Sequence, residues 1–222
     1  MIHILTGPFG SGKTEISINL ALRLKEVAED VSLLDLDVIT PYFRIRDVAD
    51  LLGEMGIDVV TVKRELKYMD LPIIPGRLTE LFSKDNAHIV VDLGGDDDGA
   101  RVISSLKSLL DGKRISVYFV VNVFRPFNET VDEICYNIER LSSRSRLKFD
   151  AIINNSNLGD LSTEEVVLKG EDVVTRVSEI TGIPVKWTVL DEALAKHADI
   201  SGFKYPVFLI KRFLGTPWEG RR

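Results

Sequence analysis

Eight residues near the start of the chain, Gly7-Pro8-Phe9-Gly10-Ser11-Gly12-Lys13-Thr14, have the types and spacing of a phosphate cradle, GxxxxGK[ST]. Glycines without a Cβ let the backbone wrap closely and turn successive N–H groups inward. Those amides, with the positive end of a following helix, favour phosphate oxygens. Lys13 would bring a point charge to the β- and γ-phosphates, and the Thr14 hydroxyl would join the coordination of Mg2+. The motif follows the apolar run Ile2 to Leu5 and precedes a stretch of helical period, the context it needs.

Two acidic strand ends are expected to complete a metal and water site. Asp35 and Asp37 close "LLDLD", and Asp92 closes "IVVDLGG" ahead of Gly94 and Gly95. Carboxylates at the C-terminal ends of parallel strands face the crevice where phosphates lie. Mg2+ takes few protein ligands and keeps several waters, so a small set of carboxylates suffices. Turn or helix-capping aspartates are the alternative. Gly95 can present a backbone N–H to a γ-phosphate and so sense its loss.

The rest of the chain must position these groups. Short apolar runs at 2 to 6, 31 to 36, 57 to 62, 88 to 92, 115 to 121, 150 to 154 and 184 to 189 read as strands. Helical patterns lie near 13 to 29, 44 to 55, 76 to 84, 99 to 110, 127 to 142, 164 to 181 and 191 to 198. Runs such as VYFVV, apolar throughout, suit strands covered on both faces. The alternation predicts an α/β fold in three layers, a mostly parallel sheet of about seven strands with helices on both faces. The expected organisation is one nucleotide-binding domain over 1–202 and a tail over 203–222. The proline-bearing stretch 63 to 76 is a candidate excursion that meets a partner.

With 222 residues, 45% of them hydrophobic, the chain can bury one sizeable core. A formal charge of −6 argues against a broad grip on nucleic acid. Cys135 is the sole cysteine, which excludes an intrachain disulfide and a thiolate cage. No apolar run approaches the roughly 18 residues of a membrane span, and no leader pattern opens the chain, so a cytoplasmic location is expected.

The set "GPFGSGKT", "LLDLDVITPYFRIRD", "VVDLGGDDDGAR", "IINNSNLG" and "TGIPVKWTVLDEALAKHAD" resembles the MinD/ParA branch (CobQ/CobB/MinD/ParA) of P-loop NTPases. More closely it is similar to a bacterial group of MinD-like ATP-binding proteins with "PYFR" and "VxRPF" signatures, here Pro41 to Arg44 and Val123 to Phe127. The resemblance implies that Gly7, Phe9, Gly10, Ser11, Gly12, Lys13 and Thr14 hold the nucleotide. It implies that Asp37 positions the attacking water, and that Asp35 and Asp92 support Mg2+ beside Thr14. Lys13, Asp37 and Asp92 are then the catalytic set. Asn154 or Asn155 would meet the adenine edge, with Thr188 to Glu192 covering the base. The run NNSN lacks the Lys and the Asp of a guanine-reading NKxD, which favours ATP over GTP.

One departure stands out. Pro8 occupies the position where MinD and ParA proteins carry a lysine that reaches across a dimer, so the transition-state cation is unassigned and a homodimer stays open. Arg44, Arg46 and Arg101 are candidate substitutes. Asp96, Asp97 and Asp98 suit helix caps. "RLSSRSRLK" reads as a helix C-terminus, with a small nucleic-acid patch as the alternative. Cys135 reads as a packed thiol. The apolar and basic tail "FKYPVFLIKRFLGTPW" is expected to pack on the domain, with a membrane-surface helix as the alternative. Three activities fit: a slow ATPase that switches a protein partner, a small-molecule kinase or ligase, and a metallocofactor-maturation ATPase.

Overall fold

A computed structural model describes residues 1–37, 45–61, 76–84 and 86–215. Arg44 and nearly all of the 63 to 76 stretch lie outside these residues.

The strands are β1 (Ile2–Thr6), β2 (Val31–Leu36), β3 (Asp58–Thr61), β4 (His88–Leu93), β5 (Ile115–Val121), β6 (Ala151–Asn154), β7 (Val185–Asp191) and β8 (Val207–Ile210). They form one sheet in the order β3-β2-β4-β1-β5-β6-β7-β8, every pair parallel. The chain leaves β1 toward β2 on one side and, after β4, continues through β5 on the other. The carboxyl ends around β1 therefore border the crevice expected where strand order reverses.

The helices are α1 (Lys13–Lys25), α2 (Ala49–Glu54), α3 (Gly76–Ser83), α4 (Asp97–Ser105), α5 (Lys107–Leu110), α6 (Val131–Ser145), α7 (Glu164–Thr181) and α8 (Glu192–Ala195). One face of the sheet packs α3 to α7 through Leu78, Leu81, Ile103, Ile138 and Val174; the other packs α1 and α2 through Ile16, Leu20 and Leu52. Starts and stops follow local chemistry. A capping box of Thr130 and Glu133 opens α6, Thr163 caps α7, and Gly182 ends α7 in the left-handed region. Phe119, fully buried at the centre, meets Phe149 edge-on at 5.1 Å.

The sheet has eight strands among the described residues rather than about seven, and it is wholly parallel. The extra strand, β8, comes from the tail. Phe208 and Ile210 turn inward while Leu209 faces water, the alternation of a half-covered edge strand. Four residues flanked by Pro206 and by Lys211 and Arg212 give a weak strand signal, and the same residues read as an amphipathic mixture. No helix among the described residues is long and apolar enough to cross a membrane, and 207–210 is strand rather than interfacial helix.

At the amino ends of β1 and β4, His3 Nε2 lies 3.2 Å from His88 Nδ1, and His3 Nδ1 lies 3.5 Å from the Tyr118 hydroxyl. Burial holds the His3 pKa down to about 4, with His88, the N-terminal amine and Lys186 acting in the same direction. Its folded value lies below the ordinary 6.5, so the unfolded chain binds more protons between those limits. Stability from neutral His3 is full above the unfolded value and is lost as pH falls through that window. The unfolding free energy from urea titrations should drop on acidification from pH 7.5 to 5 by up to about 2 kcal/mol from this residue. His3→Phe should flatten that part of the slope; an unchanged slope in the variant would assign the effect elsewhere.

Candidate functional site

The cradle joins β1 to α1. Gly7, Gly10 and Gly12 all have positive φ. At α1 the N-cap is Gly12, at φ 86 and ψ 21, with no side-chain cap among the described residues. The first-turn N–H groups are therefore left to an external acceptor. By contrast Asp96 caps α4, its carboxylate accepting from the Gly99 N–H at 2.7 Å. Ser11 and Lys13 are buried, and the Lys13 ammonium lies 3.4 Å from the Pro8 carbonyl inside the loop's curve. Phe9 is 71% exposed at the rim.

The acidic strand ends converge on this loop. Parallel register sets Asp35 on β2 directly beside Asp92 on β4. The Thr14 hydroxyl donates to Asp92 Oδ2 at 2.7 Å, while Asp92 Oδ1, fully buried, has no partner among the described residues. Burial pushes the Asp92 carboxyl up to about 7, against the pull of Lys13. Burial also raises Asp35 to about 6, against the Asp37 N–H that donates to it at 3.0 Å. Asp37 lines the cleft. Among the described residues no three His, Cys, Asp or Glu side chains form a protein-only metal cage. A lone buried carboxylate oxygen beside a threonine hydroxyl fits a hard cation that takes its other ligands from phosphate and water.

Gly95 shows how closely these parts approach. A Cβ built there would stand 1.8 Å from the Gly7 carbonyl oxygen, so the turn after β4 lies directly on the phosphate loop.

From the loop a cleft of about 680 Å³ runs toward β6, β7 and β8. Asn155 braces it, its amide donating to the Ser11 carbonyl at 2.7 Å. Asn154 does not line the cleft; its side chain donates to the Val167 carbonyl at 3.4 Å and ties β6 to α7. Thr188 likewise turns to Glu171 on α7, whereas Leu190 and Asp191 reach the cleft. The distal wall includes Leu194, Ile210 and Leu214.

Of the candidate arginines, Arg46 is exposed on the 3-10 turn Ile45–Val48, and Arg101 is 80% exposed and paired with Asp98 at 3.3 Å. Neither lines the cleft. Arg140 and Arg144 both pair with Asp97, joining α6 to the start of α4. Cys135 is partly buried against the core.

Two groups of cleft residues were not singled out from sequence. Arg125 lines the cleft just after β5, and the VxRPF signature contains it without marking it as a site residue. The segment after β8 is held by α1. Asn19 exchanges two 2.8 Å hydrogen bonds with the Lys211 backbone, and Glu15 accepts from the Phe213 N–H. Burial raises the Glu15 carboxyl to about 7, with the Phe213 and Leu214 amides opposing. A Glu and an Asn four apart on one helix face is a weak signal without knowledge of what packs there.

No protein-family model and no curated protein matches the chain. Solved structures share its fold. The signal recognition particle receptor FtsY of Elizabethkingia anophelis is similar at a TM-score of 0.55 and 18% identity, over 84% of this chain and 57% of that one. Cell division protein FtsY of Thermotoga maritima gives 0.55 and 14%, over 86% and 61%. The signal recognition particle 54 kDa protein of Aeropyrum pernix K1, in complex with GDP, gives 0.53 and 20%, over 84% and 40%. The chain thus spans 40% to 61% of the length of these proteins. Identities this low show the fold alone, an α/β fold with a parallel sheet flanked by helices, and these neighbours form a different branch from MinD and ParA.

Gly95→Ala should part the turn after β4 from the phosphate loop. Fluorescence titration with a labelled nucleotide should show affinity about tenfold weaker or worse, near 1.4 kcal/mol, with the far-ultraviolet circular dichroism of the fold retained. Wild-type affinity would mean that the two backbones separate freely.

Proposed function

We propose that the chain is a Mg2+-dependent ATP-binding protein and slow ATPase that acts as a nucleotide-controlled switch for a protein partner. The observation that carries this reading is the Thr14–Asp92 pair at the uncapped end of α1, with one carboxylate oxygen left over. The amides from Gly10 to Thr14 would take the phosphate oxygens, and Lys13 the β- and γ-phosphates. Thr14 and Asp92 would hold Mg2+, with Asp35 supporting through its neighbourhood of Asp92. When bound, the ion supplies charge neutralisation across the β- and γ-oxygens. Asp37 would orient the attacking water. The amide of Gly95 lies close enough to the loop to register the γ-phosphate, which would let the turns after Asp37 and Asp92 follow hydrolysis.

The ordered motifs, from GPFGSGKT to TGIPVKWTVLDEA, support placement near MinD and ParA, with Pro8 in place of their dimer-spanning lysine. Adenine is favoured because Asn154-Asn155-Ser156-Asn157 has neither the Lys nor the Asp of a guanine reader. Guanine is the competitor, since the similar archaeal protein is in complex with GDP.

Calorimetric titration with ATP and with GTP, each with and without Mg2+, tests the reading. ATP should bind more tightly than GTP, and Lys13→Ala should weaken ATP roughly a hundredfold, in line with losing a charge-assisted contact. Asp92→Asn should keep nucleotide binding and lose most of its Mg2+ dependence. Tighter GTP binding would reverse the base assignment, and undiminished binding by Lys13→Ala would remove the phosphate-loop role. Light scattering with ADP and a non-hydrolysable ATP analogue should show a nucleotide-dependent change in assembly or partner capture.

A further inference from the structure

The order of strands turns the carboxyl edge of the sheet into a map of the ligand. Asp35 and Asp92 stand on β2 and β4, the phosphate loop follows β1, Asn155 and Asn157 follow β6, and Leu190 and Ile210 end β7 and β8. Arg125 follows β5, between the phosphate loop and Asn155. It therefore stands on the base side of the loop, away from the metal carboxylates.

One edge of its guanidinium is tethered to the loop. Nε donates to the Gly10 carbonyl at 3.2 Å, and Gly10, at φ 75, leaves room for the side-chain stem, whose Cδ is 3.3 Å from where a Cβ would be. The turn that carries it is braced: Asn122 Oδ1 accepts from the Phe124 N–H at 3.0 Å, and Asn122 Nδ2 donates to the Asn157 carbonyl at 3.1 Å. Arg125 makes no ion pair among the described residues, whereas Arg212, at the far end of the cleft, is taken up by Asp160 and Asp191. A planar cation held by one edge, with its face open to a cleft that is apolar at its far wall, suits a flat π-system.

We propose that the Arg125 guanidinium is one wall of the base subsite, stacking on the purine of a bound nucleotide whose other face meets the Leu190, Leu194 and Leu214 side. This rests on the nucleotide-binding reading. It also separates base recognition, in cis at Arg125, from phosphate recognition at Lys13.

The probes are AMP, ADP, ATP and inorganic tripolyphosphate, titrated into the full chain and into Arg125→Ala, Arg125→Lys and Lys13→Ala. Arg125→Ala should weaken the three nucleotides by a similar factor, roughly tenfold, and leave tripolyphosphate within about twofold. Arg125→Lys keeps the charge without the plane and should remain weakened. Lys13→Ala should weaken tripolyphosphate and ATP together. Equal loss of tripolyphosphate and ATP in Arg125→Ala would reduce the residue to a brace of the loop. A loss confined to ATP would make it a γ-phosphate contact, and no loss would remove it from the site; each overturns the proposal. Those outcomes overturn the stacking wall alone, while a wild-type chain that binds none of the three nucleotides would overturn the nucleotide reading beneath it.

Discussion

The hydrogen bond from Thr14 to Asp92 fixes the direction of α1 relative to the sheet, and the cradle depends on that direction. Because α1 has no side-chain cap among the described residues, its open N–H groups point wherever the helix axis points. A 2.7 Å bond between its first turn and the end of β4 keeps that axis trained on the crevice. The bond also decides what Thr14 can still do. A hydroxyl has one proton, and having given it to Asp92 it faces the cleft with lone pairs, the form in which an oxygen meets a cation. The same geometry leaves Asp92 Oδ1 over.

Burial makes this arrangement costly without a ligand. Asp92 sits almost wholly out of water with Asp35 in register beside it, and burial first, then the Asp35 charge, raises its hold on a proton. Lys13 offsets part of that repulsion, but one ammonium faces three carboxylates if Asp37 is counted. A divalent cation lowers the energy of the carboxylates, and the anionic phosphates lower that of Lys13 and the helix amides. Each half of a metal–nucleotide pair therefore improves the electrostatics that the other half meets.

Much of this was legible in the sequence where local chemistry dominates. Short apolar runs such as IHILT and VYFVV became central strands within a residue or two of their expected limits. The turn from β1 into α1 was legible because its glycines serve the backbone, whatever packs outside. Signals failed where packing decides. β8 escaped because an edge strand of four residues alternates too briefly to stand out from a basic, apolar tail. Asn154 and Asn155 could not be told apart because a single step in parity sends one side chain to α7 and the next to Ser11. Arg125 carries no signal in sequence because its place beside the loop comes from strand order: β5 and β1 are neighbours only once the sheet is assembled.

Helix α1 connects both ends of the cleft. Its first turn presents open amides and carries Glu15, and one turn further Asn19 joins Glu15 in gripping the backbone of 211–213, whose neighbours Ile210 and Leu214 line the distal wall. Phosphates and base would therefore be read from one rigid rod. A half-buried carboxylate that accepts from strap amides, placed one residue after Thr14, makes the position of the strap sensitive to small rotations of that rod. Packed interiors shift between discrete arrangements rather than yielding continuously. The C-terminal segment, which looks peripheral in sequence, is thus mechanically adjacent to the chemistry.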